Sequence, residues 1–270
     1  MGMKALEQYS LPQLPPLNQV GSQKPTQVQD LDGRQLDLTL DSGSRFCLNI
    51  GDGTGTFETS VPGWPAKGTC TADVCVLRDN VYVVSLDLQE PVTDALTVVL
   101  MMAQGRAVLV YHKYIGDDTA QFDRGPNVSQ SFFTAVINGA DISGETPSET
   151  KELLGGRDFL VFDEKNIREF ICVNKSRLLE HYVYTQMLNG KVERHHASYI
   201  KLDDQLYLIG WREMDTNMAY AGVFDYRNNR MQGSCFSLVS PWEATAKLTG
   251  ALIIPVNGRI DYLDGLEPTH

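Results

Sequence analysis

Positive charge is in short supply in this chain. Its 270 residues carry 23 Lys and Arg against 34 Asp and Glu, a formal net charge of -11. An acidic chain without a basic cluster repels phosphate backbones and anionic lipid surfaces, so no nucleic acid or membrane partner is expected. Long apolar runs are missing as well. None approaches the ~20 residues that a membrane-spanning helix needs. Cysteines are few: Cys47, Cys70, Cys75, Cys172 and Cys235 are odd in number and form no C-x-x-C pair. They read as buried reduced thiols of a cytoplasmic protein. No Gly-x-Ser-x-Gly motif and no Cys/His nucleophile pair stands out, and helical periodicity is scarce.

Residues 1–30 are polar and hold Pro12, Pro15, Pro16 and Pro25. They lack the apolar stretch of a signal peptide and read as a surface arm or a lead-in to the fold. Beyond them, strand signals dominate. Short β-rich segments such as Phe46–Ile50, Val81–Leu88 and Ala107–Tyr114 are separated by turn residues, and a second series runs from Asp158 to Leu238. Gly51-Asp52-Gly53-Thr54-Gly55 follows a strand with no helix behind it, so it reads as a hairpin turn rather than a phosphate loop. Pro241–Lys247, with Ser240 as N-cap and Pro241 at the first helical position, is expected to form a short helix.

The two halves repeat. Arg78-Asp79-Asn80 leads the strand at Tyr82, and Asp203-Asp204-Gln205 leads a matching strand at Tyr207. Seven or eight short antiparallel strands per half most simply close into a barrel, because closure removes the open edges. The expected fold is therefore all-β, with two calycin (lipocalin-like) antiparallel barrels in tandem. The expected division is an N-terminal arm at 1–30, a first barrel at 31–138, a linker at 139–153, a second barrel at 154–240 and a C-terminal extension at 241–270.

Strand residues two apart share a face. Tyr207, Ile209, Trp211 and Glu213 then point one way, and Arg212 points the other way, toward the surface or the other barrel. The corresponding face of the first half is Tyr82, Val84, Leu86 and Leu88, without a charge. A carboxylate where the twin has leucine marks the second barrel as the one with a site.

Four stretches stand out: Leu153-Leu154-Gly155-Gly156-Arg157, Arg168-Glu169-Phe170-Ile171-Cys172-Val173-Asn174, Trp211-Arg212-Glu213, and Phe224-Asp225-Tyr226 with Arg230-Met231-Gln232-Gly233. Through them the chain, from about Asp30 to Leu238, resembles the molybdenum cofactor biosynthesis protein F family, whose members have two related β-domains. The family commonly has Glu-His at Glu169-Phe170 and Tyr-Thr-Trp at Tyr184-Thr185-Gln186. The second half is also similar, more faintly, to phenolic acid decarboxylases, which are single lipocalin-like barrels. Tyr207, Trp211 and Glu213 keep the spacing of that family's Tyr-x-x-x-Trp-x-Glu. Gly190-Lys191 falls near its Gly-Arg, and its tyrosine pair is absent near Val161 and Asp163.

The candidate catalytic residue is Glu213, as a general acid or base among apolar walls; a rim carboxylate paired with a cation is the competing reading. Candidate ligand-binding residues are Tyr207, Trp211, Tyr182, Tyr184, Lys191 and Glu169, the last because it matches the family's Glu. Tyr182 and Tyr184 share a face with Glu180 and Gln186, and Tyr199 and Tyr220 are further candidates. Adjacent His195 and His196 point to opposite faces, so at most one of them can join His181, and no metal is expected. His112 stands alone and is given a structural or interface role. The expected partner is a small hydrophobic or aromatic molecule, with no cofactor, and self-association into a homo-oligomer is left open. The expected function is binding of such a ligand in the second barrel, in cofactor-related or secondary metabolism. The alternative is a cofactor-independent isomerase, cyclase or decarboxylase that uses Glu213.

Overall fold

The computed structural model describes residues 20–116, 127–185, 189–213, 216–240 and 243–256. Eight antiparallel strands, each paired with its sequence neighbour, form the first barrel: β1 (Gln35–Leu40), β2 (Arg45–Gly51), β3 (Thr54–Thr59), β4 (Lys67–Arg78), β5 (Val81–Leu88), β6 (Asp94–Met101), β7 (Arg106–Tyr114) and β8 (Val128–Ile137). Pairing of β1 with β8 closes it. A two-residue strand, β9 (Ser148–Glu149), lies in the connecting segment and pairs with the second barrel. That barrel consists of β10 (Arg157–Asp163), β11 (Asn166–Asn174), β12 (Arg177–Tyr184), β13 (Val192–Asp203), β14 (Leu206–Arg212), β15 (Met218–Asp225), β16 (Arg230–Ser240) and β17 (Glu243–Pro255). It closes between β10 and β17. The fold is all-β with two closed eight-stranded barrels in tandem, as expected. Among the described residues, no helix is long and apolar enough to cross a membrane.

One expectation fails at the C-terminal end. The stretch read as a short helix and as part of an extension, from residue 241, includes β17, which pairs with β16 and β10 and completes the barrel. Ser240 and Pro241 suggested a helix start. The residues that follow are strand residues, and they are small because Ala244 and Ala246 pack with Ala95 and Val128 of the first barrel. Alternation along Ala244, Ala246 and Leu248 is the period-2 pattern of a strand.

The turn at Asp52-Gly53 is a two-residue hairpin loop with φ of 50° and 71° at its two residues. Such positive values are what the turn between two right-twisted strands requires. Each barrel has its own interior, containing Leu38, Phe46, Leu86 and Leu109 in the first and Phe170, Ile209, Trp211 and Phe224 in the second. A third apolar cluster lies between the barrels. It joins Val83, Val99, Val108 and Val110 to Ile200, Leu206, Leu208 and Val223. Its polar stitches are Ser85 Oγ to Ser234 Oγ at 2.7 Å and Arg78 to Asp203 at 2.7 Å. His112 is buried there, stacked on Phe236 at 5.7 Å. Burial pushes its imidazole down to about 3, so it is a neutral interface residue.

Residues 20–30 form an arm that touches both barrels. The Gln23 N–H donates to the Phe162 carbonyl, and the Val28 N–H donates to the Val74 carbonyl. Val20 packs on Phe159, Val161 and Ile167.

Candidate functional site

Alternation on β14 puts Ile209 and Trp211 into the second interior, with Tyr207 at one end and Glu213 just past the other. The matching residues of β5, Val84, Leu86 and Leu88, lie in the first interior with Tyr82 packed against them. Tyr207 is at the rim, where its hydroxyl donates to Glu152 at 2.7 Å and its ring meets Tyr226 edge-on at 5.8 Å. Trp211 is stacked on Tyr220 at 4.6 Å and meets Phe170 edge-on at 5.1 Å.

Past Trp211 the interior turns polar. Glu213 is only 4 % exposed and accepts a hydrogen bond from the Thr216 hydroxyl at 2.5 Å. Burial pushes its carboxyl above the ordinary carboxylate range; Thr216 opposes this and the charge of Glu180 adds to it. His195 lies across from it on β13, because His196 pairs with Arg212 and places the two inward residues side by side. His195 Nε2 is 2.8 Å from Glu180 Oε2 and 3.8 Å from Glu193 Oε2. Glu180 is fully buried, and Arg168 Nη1 donates to its Oε1 at 2.8 Å. Burial alone would raise Glu180, but the His195 hydrogen bond and the Arg168 charge outweigh it and hold this carboxyl below its usual value. The Tyr182 hydroxyl donates to Glu193 at 2.9 Å and lies 3.3 Å from Glu180. The Arg168 guanidinium lies over the rings of Phe162 and Tyr182 at 5.0 and 5.2 Å.

Among the described residues, two buried nitrogens in this interior have no hydrogen-bond partner, Trp211 Nε1 and His195 Nδ1. Buried polar atoms are nearly always paired, so each needs an explanation. The first interior differs. Its buried carboxylate, Asp94, already accepts the hydroxyl of Tyr111, and Tyr111 is stacked on Trp64 at 4.5 Å.

The sequence candidates separate cleanly by location. Glu213, Trp211 and Tyr182 meet at the polar end, and Tyr220 joins them through its stack on Trp211. Tyr184 is 47 % exposed on the rim strand. Lys191 is exposed and is paired with Glu193. Glu169 faces outward, between Ile167 and Ile171 on β11, and is held by Arg157 and His181 on the outer wall. It is not in the interior, because Phe170 takes the inward position. His181 and His195 therefore lie on opposite faces, and neither His195 nor His196 joins His181. Tyr199 donates to the Arg177 carbonyl at 2.7 Å. Arg212 points outward, half-buried, with His196 and Arg177 as cross-strand neighbours. Arg168 and Glu193 were missed. The available signal was the spacing of Glu193-x-His195 opposite Glu180-x-Tyr182, which puts four polar groups on one face of one hairpin.

No curated protein matches the sequence significantly. Two solved structures share features of shape at 9 % identity. A putative beta-lactamase from Burkholderia vietnamiensis has a TM-score of 0.33 and covers 40 % of this chain and all of its own. A protein of unknown function from the DUF3598 family of Nostoc punctiforme has a TM-score of 0.28, covering 88 % of this chain and 97 % of its own. Residues 147–257 match the family model of the MoaF C-terminal domain, from the segment just before β9 through the end of the second barrel. Over this segment the chain is similar to the MoaF C-terminal domain, in keeping with the resemblance in its sequence motifs.

Proposed function

We propose that the second barrel binds a small planar molecule, aromatic or heteroaromatic, at its polar end, and that Glu213 exchanges a proton with it. The observation that carries this reading is the indole N–H of Trp211, which has no hydrogen-bond partner among the described residues. It is fully buried and lies next to a ladder of buried ionisable groups. A ligand carbonyl or ring nitrogen would satisfy that donor, and Tyr220 and Phe170 supply aromatic walls. Glu213 fits a proton-handling role because burial favours its neutral, donating form. His195, held by Glu180, offers the complementary base.

The test takes p-coumarate, representing phenolic acids, and neopterin, representing heteroaromatic rings, as probes. Saturable binding is followed by thermal shift, and ultraviolet spectra report any conversion. Trp211→Phe, which keeps the ring and removes the N–H, is expected to weaken binding about tenfold, the worth of one hydrogen bond at a buried site. Glu213→Gln is expected to keep binding and lose any turnover. Binding that is equal in Trp211→Phe and the parent protein removes the basis of this reading.

A further inference from the structure

We infer that Glu180, Glu193 and His195 bind a divalent transition-metal ion. One ligand atom from each of the three lies within 4.8 Å of the others. The separations of His195 Nε2 from the two carboxylate oxygens, 2.8 and 3.8 Å, bracket the roughly 3–3.5 Å between ligand atoms that a metal bound at about 2.1 Å requires.

The arrangement of the remaining oxygens is that of a supported ligand set. Glu180 gives its Oε1 to Arg168, and Glu193 gives its Oε1 to Lys191. The two Oε2 atoms converge on the same imidazole nitrogen. Cations that fix one oxygen of each carboxylate orient the other for coordination, as outer-sphere partners of metal ligands do. The backbone makes the set rigid. Glu180 and Glu193 are register partners across β12 and β13, and His195 is two residues from Glu193 on the same face. Tyr182, with its hydroxyl on the Oε2 side of both carboxylates, stands where a fourth ligand or a bound water would be held.

A separate observation also points to an occupant. Trp211, on the strand next to His195, is fully buried and its Nε1 has no hydrogen-bond partner among the described residues. Water or an anion completing the coordination would supply an acceptor to such a donor. One imidazole with two carboxylates suits Zn²⁺, Fe²⁺ or Mn²⁺ and disfavours Mg²⁺ and Ca²⁺, which take all-oxygen sites. The competing occupant is a proton shared between His195 and the carboxylates. The metal shares the polar end with the ligand reading, but neither requires the other.

The experiment uses the full-length protein, stripped with EDTA and dialysed separately against Zn²⁺, Mn²⁺ and Co²⁺. Metal per chain is measured by mass spectrometry, and Co²⁺ is also followed by its visible absorption. One equivalent is expected, with a melting temperature several degrees higher and, for Co²⁺, a visible band that marks an ordered inner-sphere site. His195→Gln and the milder Glu193→Gln, at the more exposed edge, should both lose the ion, with folding checked by circular dichroism. His181→Gln, on the outer wall, should retain it. Less than about 0.2 equivalents in the folded parent, or equal retention by Glu193→Gln, overturns the metal site. If the metal-free protein still binds p-coumarate or neopterin, only the metal is wrong. If metal binds and neither probe does, only the ligand reading fails.

Discussion

Asp158 shows how one residue of this barrel carries a cost that pH can expose. It sits at the end of the second interior opposite Glu213, almost fully buried, with the Tyr226 hydroxyl at 2.6 Å as its hydrogen-bond donor. Burial pushes its carboxyl up from 3.8 to about 6, and Tyr226 only partly offsets this. An acid whose folded value exceeds its unfolded value takes up a proton on folding. Between pH about 4 and about 6 the folded state binds more protons than the unfolded chain, so stability falls as pH rises through that window. Above about 6 the cost is fully present. Asp158→Asn keeps an acceptor for Tyr226 and removes the charge. It should stabilise the protein by about 1–3 kcal/mol at pH 7.5 and by little at pH 4. Urea denaturation at the two pH values checks this, and a stability gain that does not change with pH rules it out. Glu180 behaves differently although it is buried at least as deeply, because His195 and Arg168 compensate its charge. Partners, more than depth, decide the sign of these shifts.

At the scale of elements, the strands legible in the sequence were those whose two faces differ in chemistry. β14 alternates between the second interior, through Ile209 and Trp211, and the cluster between the barrels, through Leu206 and Leu208. Its aromatic face ending in Glu213 could be read directly, as could the apolar twin on β5. β11 was harder. Arg168 and Glu169 are both charged, so composition does not say which enters the barrel, and only packing of Phe170 against Trp211 settles the parity. β17 was missed because its buried positions are small, and small residues follow from close approach of other chain segments rather than from any local signal. Gly250 is the clearest case. A Cβ there would lie 2.4 Å from the Gln23 carbonyl oxygen and 3.1 Å from Pro25. The glycine lets the N-terminal arm lie flat on β17. Gly250→Ala should therefore lift the arm, with faster hydrogen exchange at the Gln23 and Val28 amides and a stability loss of about 1–2 kcal/mol. If exchange over residues 20–30 is unchanged, the arm is not held by this contact.

At the scale of the whole molecule, the two barrels share a core, and this bears on whether the family domain is an independent unit. The wall of the second barrel that faces the first carries Ile200, Leu202, Leu206, Leu208, Val223 and Leu248, all buried against Val83, Val99, Val108 and Val110. Burying each such side chain is worth about 1.5–3 kcal/mol, so exposing this wall would cost about as much as the whole stability of a typical domain, roughly 5–15 kcal/mol. The Ser85–Ser234 hydrogen bond and the Arg78–Asp203 ion pair fix the register of the contact. Phe132 of the first barrel fills the groove over Gly210, where a Cβ would come within 2.4 Å of its ring. The first barrel, whose β5 interior face is apolar where the second carries Glu213, covers this wall of the second barrel. Residues 147–257 expressed alone should expose the wall, bind a hydrophobic dye and aggregate or self-associate. The full chain should lose amide protection on β5–β7 and on β13–β15 at one urea concentration, because neither side of a shared core is stable without the other. If the excised segment is a folded monomer with the melting temperature of the parent, the barrels are independent and the shared core is dispensable.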